Sequence, residues 1–324
     1  ERLRIALAPL LQRASRFRKV IVREIDISPL LQAQADAEAE NGSEALPLTE
    51  RAMVRGLRRR GWKVERLIYP FENQPWERML LTSMRSTYPD CAMVGYQHSV
   101  VSPRYLFYRS EASESAYMPQ PDSIVTSGFA AAALLSHYGY RSRIIVGCGL
   151  RYAPSGPAAA LVGKVRRIVV ALPIYAGEAD ELIDALHGLA GTAGCKLTVV
   201  PHPCQLPGAA TRERLAALGV EFSTLPLAVV LQRGDVLVYG NSAACLDGLA
   251  AGCALVYFRA RYGYNYDPLD GRDAVRRAVT TLDAGILQVL PPSDPAAILA
   301  EFVSPVTSEA CAVFFADRQQ AEHA

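Results

Sequence analysis

From Lys164 onward, short β-branched runs alternate with segments whose apolar residues recur at helical spacing. KVRRIVVALP (164–173) predicts a strand, and EADELIDALHGLAG (178–191), with Leu182, Ala185, Leu186 and Leu189 on one face, predicts a helix. The alternation continues through strand KLTVVP (196–201), helix ATRERLAALG (210–219), short strand VEFS (220–223), helix LAVVLQRG (227–234), strand DVLVYG (235–240), helix SAACLDGLAAG (242–252) and strand CALVYF (253–258). Gly219, Gly234 and Gly252 fall at helix ends, where a left-handed residue closes the last turn. Almost wholly apolar strands between helices predict a parallel sheet covered on both faces, so residues 160–305 read as a Rossmann-like domain.

The first half alternates less regularly. RAMVRGLRRRG (51–61), PWERMLLTSMR (75–85) and AAALLSHYG (131–139) have helical spacing, whereas KVERLIY (63–69), CAMVGYQ (91–97), SIVTSG (123–128) and RIIVGCG (143–149) read as strands. These make a second α/β unit. The Pro-, Gly- and Ala-rich LRYAPSGPAAALVG (150–163) is the natural linker, dividing the chain into domains 1–155 and 156–324, the latter ending in a helix. The acidic, polar ADAEAENGSE (35–44) is expected to be a mobile loop. No repeat of 20 to 50 residues supports a solenoid. The expected fold class is α/β, with two Rossmann-like domains facing a central cleft.

Composition narrows the function classes. The chain has 324 residues, about twice the usual domain size, and half of them are hydrophobic, which excludes disorder and allows two cores. A net charge of +2 gives no support to a nucleic-acid partner. Seven cysteines form no C-x-x-C pair and mostly sit in apolar runs such as VGCGL, which favours a reducing compartment over a zinc site. The five histidines never fall four residues apart, so no metalloprotease motif exists. SIVTSGFAAAALLSHYGY (123–140) is too rich in Ser, Thr, His and Tyr to span a membrane, and a soluble, cytoplasmic protein is expected. Glu1 is not followed by a signal-like apolar core, and a truncated targeting segment stays open.

Open sheets bind ligands beyond the carboxyl ends of their strands, so polar residues just after strands are the candidates. His202, held between Pro201 and Pro203, follows strand KLTVV; the alternative is an ordinary loop histidine. At Gly240-Asn241-Ser242-Ala243 a strand turns into a helix whose first N–H groups can hold an anion. Asn241 or Ser242 also suits the N-cap there, a role compatible with anion binding.

A strand ending in His202-Pro203, followed about forty residues later by a strand ending in Gly240-Asn241-Ser242 and a small-residue helix, resembles the donor half of GT-B glycosyltransferases. It is most similar to bacterial surface-carbohydrate enzymes that use CMP-activated sugars, the sialyltransferases and Kdo transferases, which carry an HP motif and a later Ser motif. The likeness extends over residues 60–305 in architecture but matches those motifs residue by residue only at His202, Pro203 and Ser242. Asp247, in the helix leading to the next strand, follows the family habit. The family's Ser-Ser doublet is Asn241-Ser242 here, which leaves the nucleotide open, and CDP-polyol polymerases use similar elements. The resemblance implies a nucleotide-sugar donor, a CMP-linked ulosonic acid favoured, held by His202, Pro203, Gly240, Asn241, Ser242, Ala243 and Asp247. It further implies a surface polysaccharide or lipid-linked glycan as acceptor.

On the first domain, Glu72 and Asn73 follow a strand and precede Trp76 and Glu77 at a helix start. Glu72 is the candidate general base for an acceptor hydroxyl, or else a cap of the helix beginning at Pro75; Trp76 and Glu77, further into that helix, are expected to line the cleft on the acceptor side. FENQPWER also looks like a segment of surface-carbohydrate biosynthesis proteins. Gln97, His98 and Ser99 follow another strand and should line the cleft, with His98 either catalytic or bonded to backbone carbonyls. Tyr264, in RYGYNYDP, borders the donor in this reading. Arg51, Arg55, Arg58, Arg59 and Arg60, with Trp62 and Lys63, read by default as a solvated face. Their functional alternative is peripheral contact with anionic lipid at the inner membrane.

The chain lacks a G-x-G-x-x-G after a strand, a Walker loop, a G-x-S-x-G elbow and a D-x-D metal motif, which disfavours dehydrogenase, NTPase and hydrolase readings. Without D-x-D, transfer is expected to need no metal and no cofactor beyond the donor. The rival expectations are a nucleotide-sugar epimerase or polyol-phosphate transferase, and a non-catalytic glycan-binding protein of the same fold.

Overall fold

A computed structural model of the protein describes residues 19–41, 45–152, 166–189, 195–261, 263 and 265–316. A short hairpin, β1 (Ile21–Val22) with β2 (Ile25–Asp26), and two helices, Ser28–Asn41 and Ala45–Arg59, precede the first sheet. The loop expected over 35–44 is instead helical as far as Asn41, and 42–44 lie outside the described residues. Ala and Glu are strong helix formers, so a polar stretch rich in them continues the helix where polarity alone suggests a loop.

The first sheet is parallel throughout, in the order β3 (Arg66–Pro70), β4 (Ala92–Gln97), β5 (Ser123–Thr126) and β6 (Arg143–Val146). Helix Pro75–Thr87 connects β3 to β4 and packs against Ala45–Arg59, while Phe129–Ser136 connects β5 to β6. Leu80, Leu81 and Met84, three and four residues apart on helix Pro75–Thr87, bury one face against Tyr69, Met93 and Ile124.

The second sheet comprises β7 (Arg166–Ala171), β8 (Cys195–Val200), β9 (Glu221–Phe222), β10 (Val236–Tyr239), β11 (Ala254–Phe258) and β12 (Arg277–Val279), all parallel. Its spatial order is β12-β11-β10-β7-β8-β9, the doubly wound order in which connections diverge between β7 and β10. Alternate residues feed opposite cores. Ile168, Val170, Val236, Val238 and Val256 enter one cluster, and Val169, Leu237, Tyr239, Leu255 and Tyr257 the other. The helix Ala244–Ala251 lies so close to the sheet that a Cβ on Gly248 would come within 2.6 Å of both Leu237 and Leu255. The predicted helix over 227–234 shortens to Leu227–Val230.

After helix Pro295–Phe302 the chain returns to the first sheet. Ser304 N–H donates to Ser127 O (2.8 Å), Gly149 N–H donates to Ser304 O (3.0 Å), and Ser127 Oγ donates to Phe302 O (3.2 Å). The helix Ser308–Ala312 and Phe314 then pack on Val94, Val125 and Cys148, and Arg66 donates to the carbonyls of Phe314, Phe315 and Ala316. The division expected at 155/156 assigns this segment to the second domain, yet it packs on the first sheet. Among the described residues no helix is long and apolar enough to cross a membrane.

Candidate functional site

The two sheets turn the carboxyl ends of their strands toward a cleft of 590 Å³. On the second-domain side, Leu172, Ile174 and Tyr175 follow β7, and Asn241, Ser242 and Ala243 follow β10, which are the two strands at the topological switch. His202 and Pro203 follow β8, Thr224 and Leu225 follow β9, and Asp247 reaches the cleft from helix Ala244–Ala251. From the other side come Glu72, Ser99, Val100, Tyr105, Phe107 and Tyr108, with Arg151 at the start of the linker.

His202 Nδ1 accepts the Cys204 N–H (3.2 Å), which assigns the neutral ring's proton to Nε2 and leaves that N–H as a donor. Burial, and then the Arg151 guanidinium, hold its pKa below the ordinary imidazole value, so it is neutral at pH 7. Asp247 shows the opposite case, with burial pushing its carboxyl up to about 6 against the downward pull of Arg151. Ser242 Oγ accepts the Ala244 N–H (3.3 Å) at the helix entrance.

Asn241 departs from its expected role. Its Nδ2 donates to Glu178 Oε1 (2.6 Å), and its Oδ1 accepts from Tyr257 Oη (2.8 Å) and the Tyr266 N–H (2.6 Å). The amide is committed to pinning the loop that carries Tyr266, so its side chain positions the wall of the cleft. Gly240 lies against Pro173, its nearest neighbour being 3.4 Å from where a Cβ would stand. Tyr264 lies outside the described residues.

Glu72 and His98 meet across the end of the first sheet, with Glu72 Oε1 3.7 Å from His98 Nε2, and each side chain is about a third exposed (39% and 34%). Among the described residues His98 Nδ1 has no hydrogen-bond partner, although it is buried. Glu77, expected in the cleft, is 1% exposed beneath the Glu72 loop. Its carboxylate accepts the N–H groups of Glu72 (2.9 Å), Asn73 (3.2 Å) and Gln74 (3.0 Å), closing a capping box. Asn73 adopts a left-handed φ of 57°, fixed by its Nδ2 donating to Phe107 O (2.6 Å). Glu77 therefore acts by holding Glu72 in place. Trp76 packs edge-on against Tyr69 in the first-domain core, not in the cleft. Gln97 is likewise buried away from the cleft, its Oε1 accepting from Ser127 N (3.2 Å) beneath the chain crossing. Ser99 does line the cleft, whereas His98 is not among its lining residues and stands beside Glu72 instead.

Residues that sequence reasoning passed over complete the site. Tyr105 and Tyr266 bring rings from the two domains to 4.6 Å, and beside them Arg104 Nη2 bonds Asp270 Oδ2 (2.7 Å). The loop carrying Asp270 is anchored by a buried ion pair, Arg276 Nε to Asp267 Oδ2 (2.6 Å), with Tyr239 Oη donating to Asp267 Oδ1 (3.1 Å). Ile174 and Tyr175 had a readable signal, since they follow the strand KVRRIVVALP. Arg151 had none, because it belongs to a stretch that reads as linker.

Comparison with protein-family models and with curated proteins gives no match. Among solved structures, the fold is similar to a putative UDP-N-acetylglucosamine 2-epimerase from Listeria monocytogenes, at 10% identity over 87% of this chain and 81% of that one, with a TM-score of 0.52. Similarity also extends to a glycosyltransferase from Rickettsia africae, at 10% identity over 80% of this chain and 77% of that one, with a TM-score of 0.45. The GtfA/B complex matches at 13% identity and a TM-score of 0.39 over 87% of this chain, which spans 55% of the chain it matches there. The fold class is α/β with two Rossmann-like domains facing a cleft.

Proposed function

We propose that the chain is a glycosyltransferase of two domains divided at 155/156, its C-terminal segment packing back on the first, that moves a sugar from a nucleotide donor to a glycan or lipid-linked acceptor. The observation that carries this reading is the facing of two groups across one cleft. On one wall are a neutral His202 and a helix N-terminus at the topological switch; on the other is Glu72, with His98 beside it, its Nε2 3.7 Å from the Glu72 carboxylate. In this scheme the donor's phosphate receives the His202 Nε2–H and the first N–H groups of helix Ala244–Ala251, with Arg151 nearby to offset the charge that develops on the leaving group. The acceptor hydroxyl attacks the anomeric carbon, the bond from that carbon to the phosphate oxygen breaks, and the hydroxyl proton passes to Glu72. Asp247 accepts from donor hydroxyls, and His98 orients the Glu72 carboxylate.

The donor favoured is a CMP-linked ulosonic acid, Kdo or a sialic acid, on the strength of His202-Pro203 and Ser242. The acceptor is a bacterial surface polysaccharide or lipid-linked glycan, and transfer proceeds without a metal. We place the enzyme in the cytoplasm, touching the inner membrane through Arg51, Arg55, Arg58, Arg59, Arg60 and Lys63, beside which Met53 and Trp62 are exposed.

Thermal stabilisation by CMP, CDP, UDP and GDP at millimolar concentration tests the reading, because a ligand that binds only the folded state raises Tm. A selective rise with CMP that disappears in His202→Ala is expected. A selective UDP or GDP rise discards the donor, and no rise with any nucleotide discards the transferase. A second reading, a nucleotide-sugar epimerase, is favoured by the fold likeness to the Listeria protein. It requires nucleotide release or sugar inversion without an acceptor, whereas the transferase releases nucleotide only when acceptor is present.

A further inference from the structure

The chain passes between the two domains twice, and the passages lie side by side. The first leaves β6 through Gly147-Cys148-Gly149, and the second returns through Val303 and Ser304 into helix Ser308–Ala312. Gly149 N–H bonds Ser304 O (3.0 Å), and Ser304 N–H bonds Ser127 O (2.8 Å). Just beyond, Cys148 Sγ and Cys311 Sγ stand 3.9 Å apart, both as free thiols. Cys148 is fully buried among Val94, Val125 and Phe314, whereas Cys311 is half-buried and reaches the surface. A disulfide needs the sulfurs to close to about 2.05 Å, an approach of roughly 2 Å that side-chain rotation on a five-residue surface helix can supply.

We propose that Cys148 and Cys311 form a reversible disulfide that staples the two interdomain passages and stiffens the hinge of the cleft. The oxidant is a low-molecular-weight disulfide such as glutathione disulfide. The more accessible Cys311, as thiolate, attacks one sulfur of that disulfide, breaking its S–S bond and releasing one glutathione thiolate. Cys148 then loses its proton to solvent and attacks the Cys311 sulfur, displacing the second glutathione thiolate. Two protein thiols are thereby oxidised, and one glutathione disulfide is reduced to two thiols. Burial and the neighbouring Cys311 push the Cys148 thiol up to about 11, so the second step is the slow one at neutral pH and accelerates as pH rises.

The test treats the full chain with glutathione disulfide and maps linked peptides by mass spectrometry without reduction. The expected result is one Cys148–Cys311 cross-link, removed by dithiothreitol and absent in Cys311→Ser and in Cys148→Ala. Because Cys311 is half-buried, its serine variant folds even where a change at Cys148 disturbs the core. The oxidised protein should show a Tm raised by about 5 °C or more, since the bridge closes a long loop. Exchange of the Gly149 and Ser304 amide hydrogens should slow at least about tenfold. A glutathione adduct left on Cys311 with no cross-link, or a cross-link with unchanged exchange at both amides, overturns the proposal. None of these readouts depends on the transferase reading.

Discussion

The buried carboxyl of Glu77 sets burial against hydrogen bonding, and replacing it with glutamine decides which prevails. Three backbone N–H groups and a helix N-terminus pull its pKa down, while removal from water pushes it up, and the net effect is a rise from the ordinary 4.5 to about 7. At about 1.36 kcal/mol per pH unit this corresponds to about 3 kcal/mol. Between pH 4.5 and 7 the folded protein keeps a proton that the unfolded chain has released, so stability falls as pH rises. The contribution is complete below 4.5 and lost above 7. Glu77→Gln keeps one oxygen for the Glu72 loop and cannot ionise. Urea unfolding of both proteins across this range, with the difference taken at each pH to cancel other titrating groups, should show wild type losing about 3 kcal/mol relative to the variant. A flat difference refutes the argument. A difference that grows in favour of wild type with rising pH shows that the three donors outweigh burial, and that the carboxylate is the stable form at every pH used.

Other perturbations test the frame around the site. Asp267→Ala leaves the Arg276 guanidinium, 3% exposed, without its buried partner, and should cost about 3–5 kcal/mol in urea unfolding. Gly188→Ala places a Cβ 1.9 Å from the Leu282 carbonyl oxygen, where backbone must shift, and should cost at least about 1–3 kcal/mol. Gly177→Ala, in helix Ala176–Ala185 with nothing within 4 Å of the new methyl, should instead raise stability by about 0.5 kcal/mol. Asp270→Ala removes the Arg104 bond across the cleft; both partners are exposed, so the expected change in stability is below about 1 kcal/mol.

The parallel sheet of the second domain was legible because its signal is local. Strands β7, β8, β10 and β11 are short, largely apolar runs, and the longer helices between them have their own periodicity, so neighbouring residues suffice to reveal both. Edges were less visible. β12 has only three residues, ArgAlaVal, and derives its place from pairing with β11, which no local pattern announces. The later part of helix Ser28–Asn41, from residue 35, was misread as loop because it has no apolar stripe to betray it, and its propensity was the better guide.

The site divides along the same line. His202, Ser242 and Ser99 were found because they follow strands, and the carboxyl edge of a parallel sheet is where ligands bind. That rule says where a residue emerges, not what its side chain meets. Glu77, Gln97 and Asn241 all lie near a strand end, but each is consumed by bonds to backbone or to a neighbouring polar group: the Glu72–Gln74 N–H groups, Ser127, and the Glu178–Tyr257–Tyr266 cluster. A buried polar side chain must find such partners, and those partners are up to 63 residues away in sequence. The same reasoning accounts for Arg151 and Tyr266. Each reaches the cleft only because the domains face one another, and the ring contact between Tyr105 and Tyr266 spans a sequence distance over which periodicity carries no information. Residues that position others and residues that face the cleft therefore look alike in the sequence, since both kinds gather at the ends of strands and only the fold shows which bonds each side chain makes.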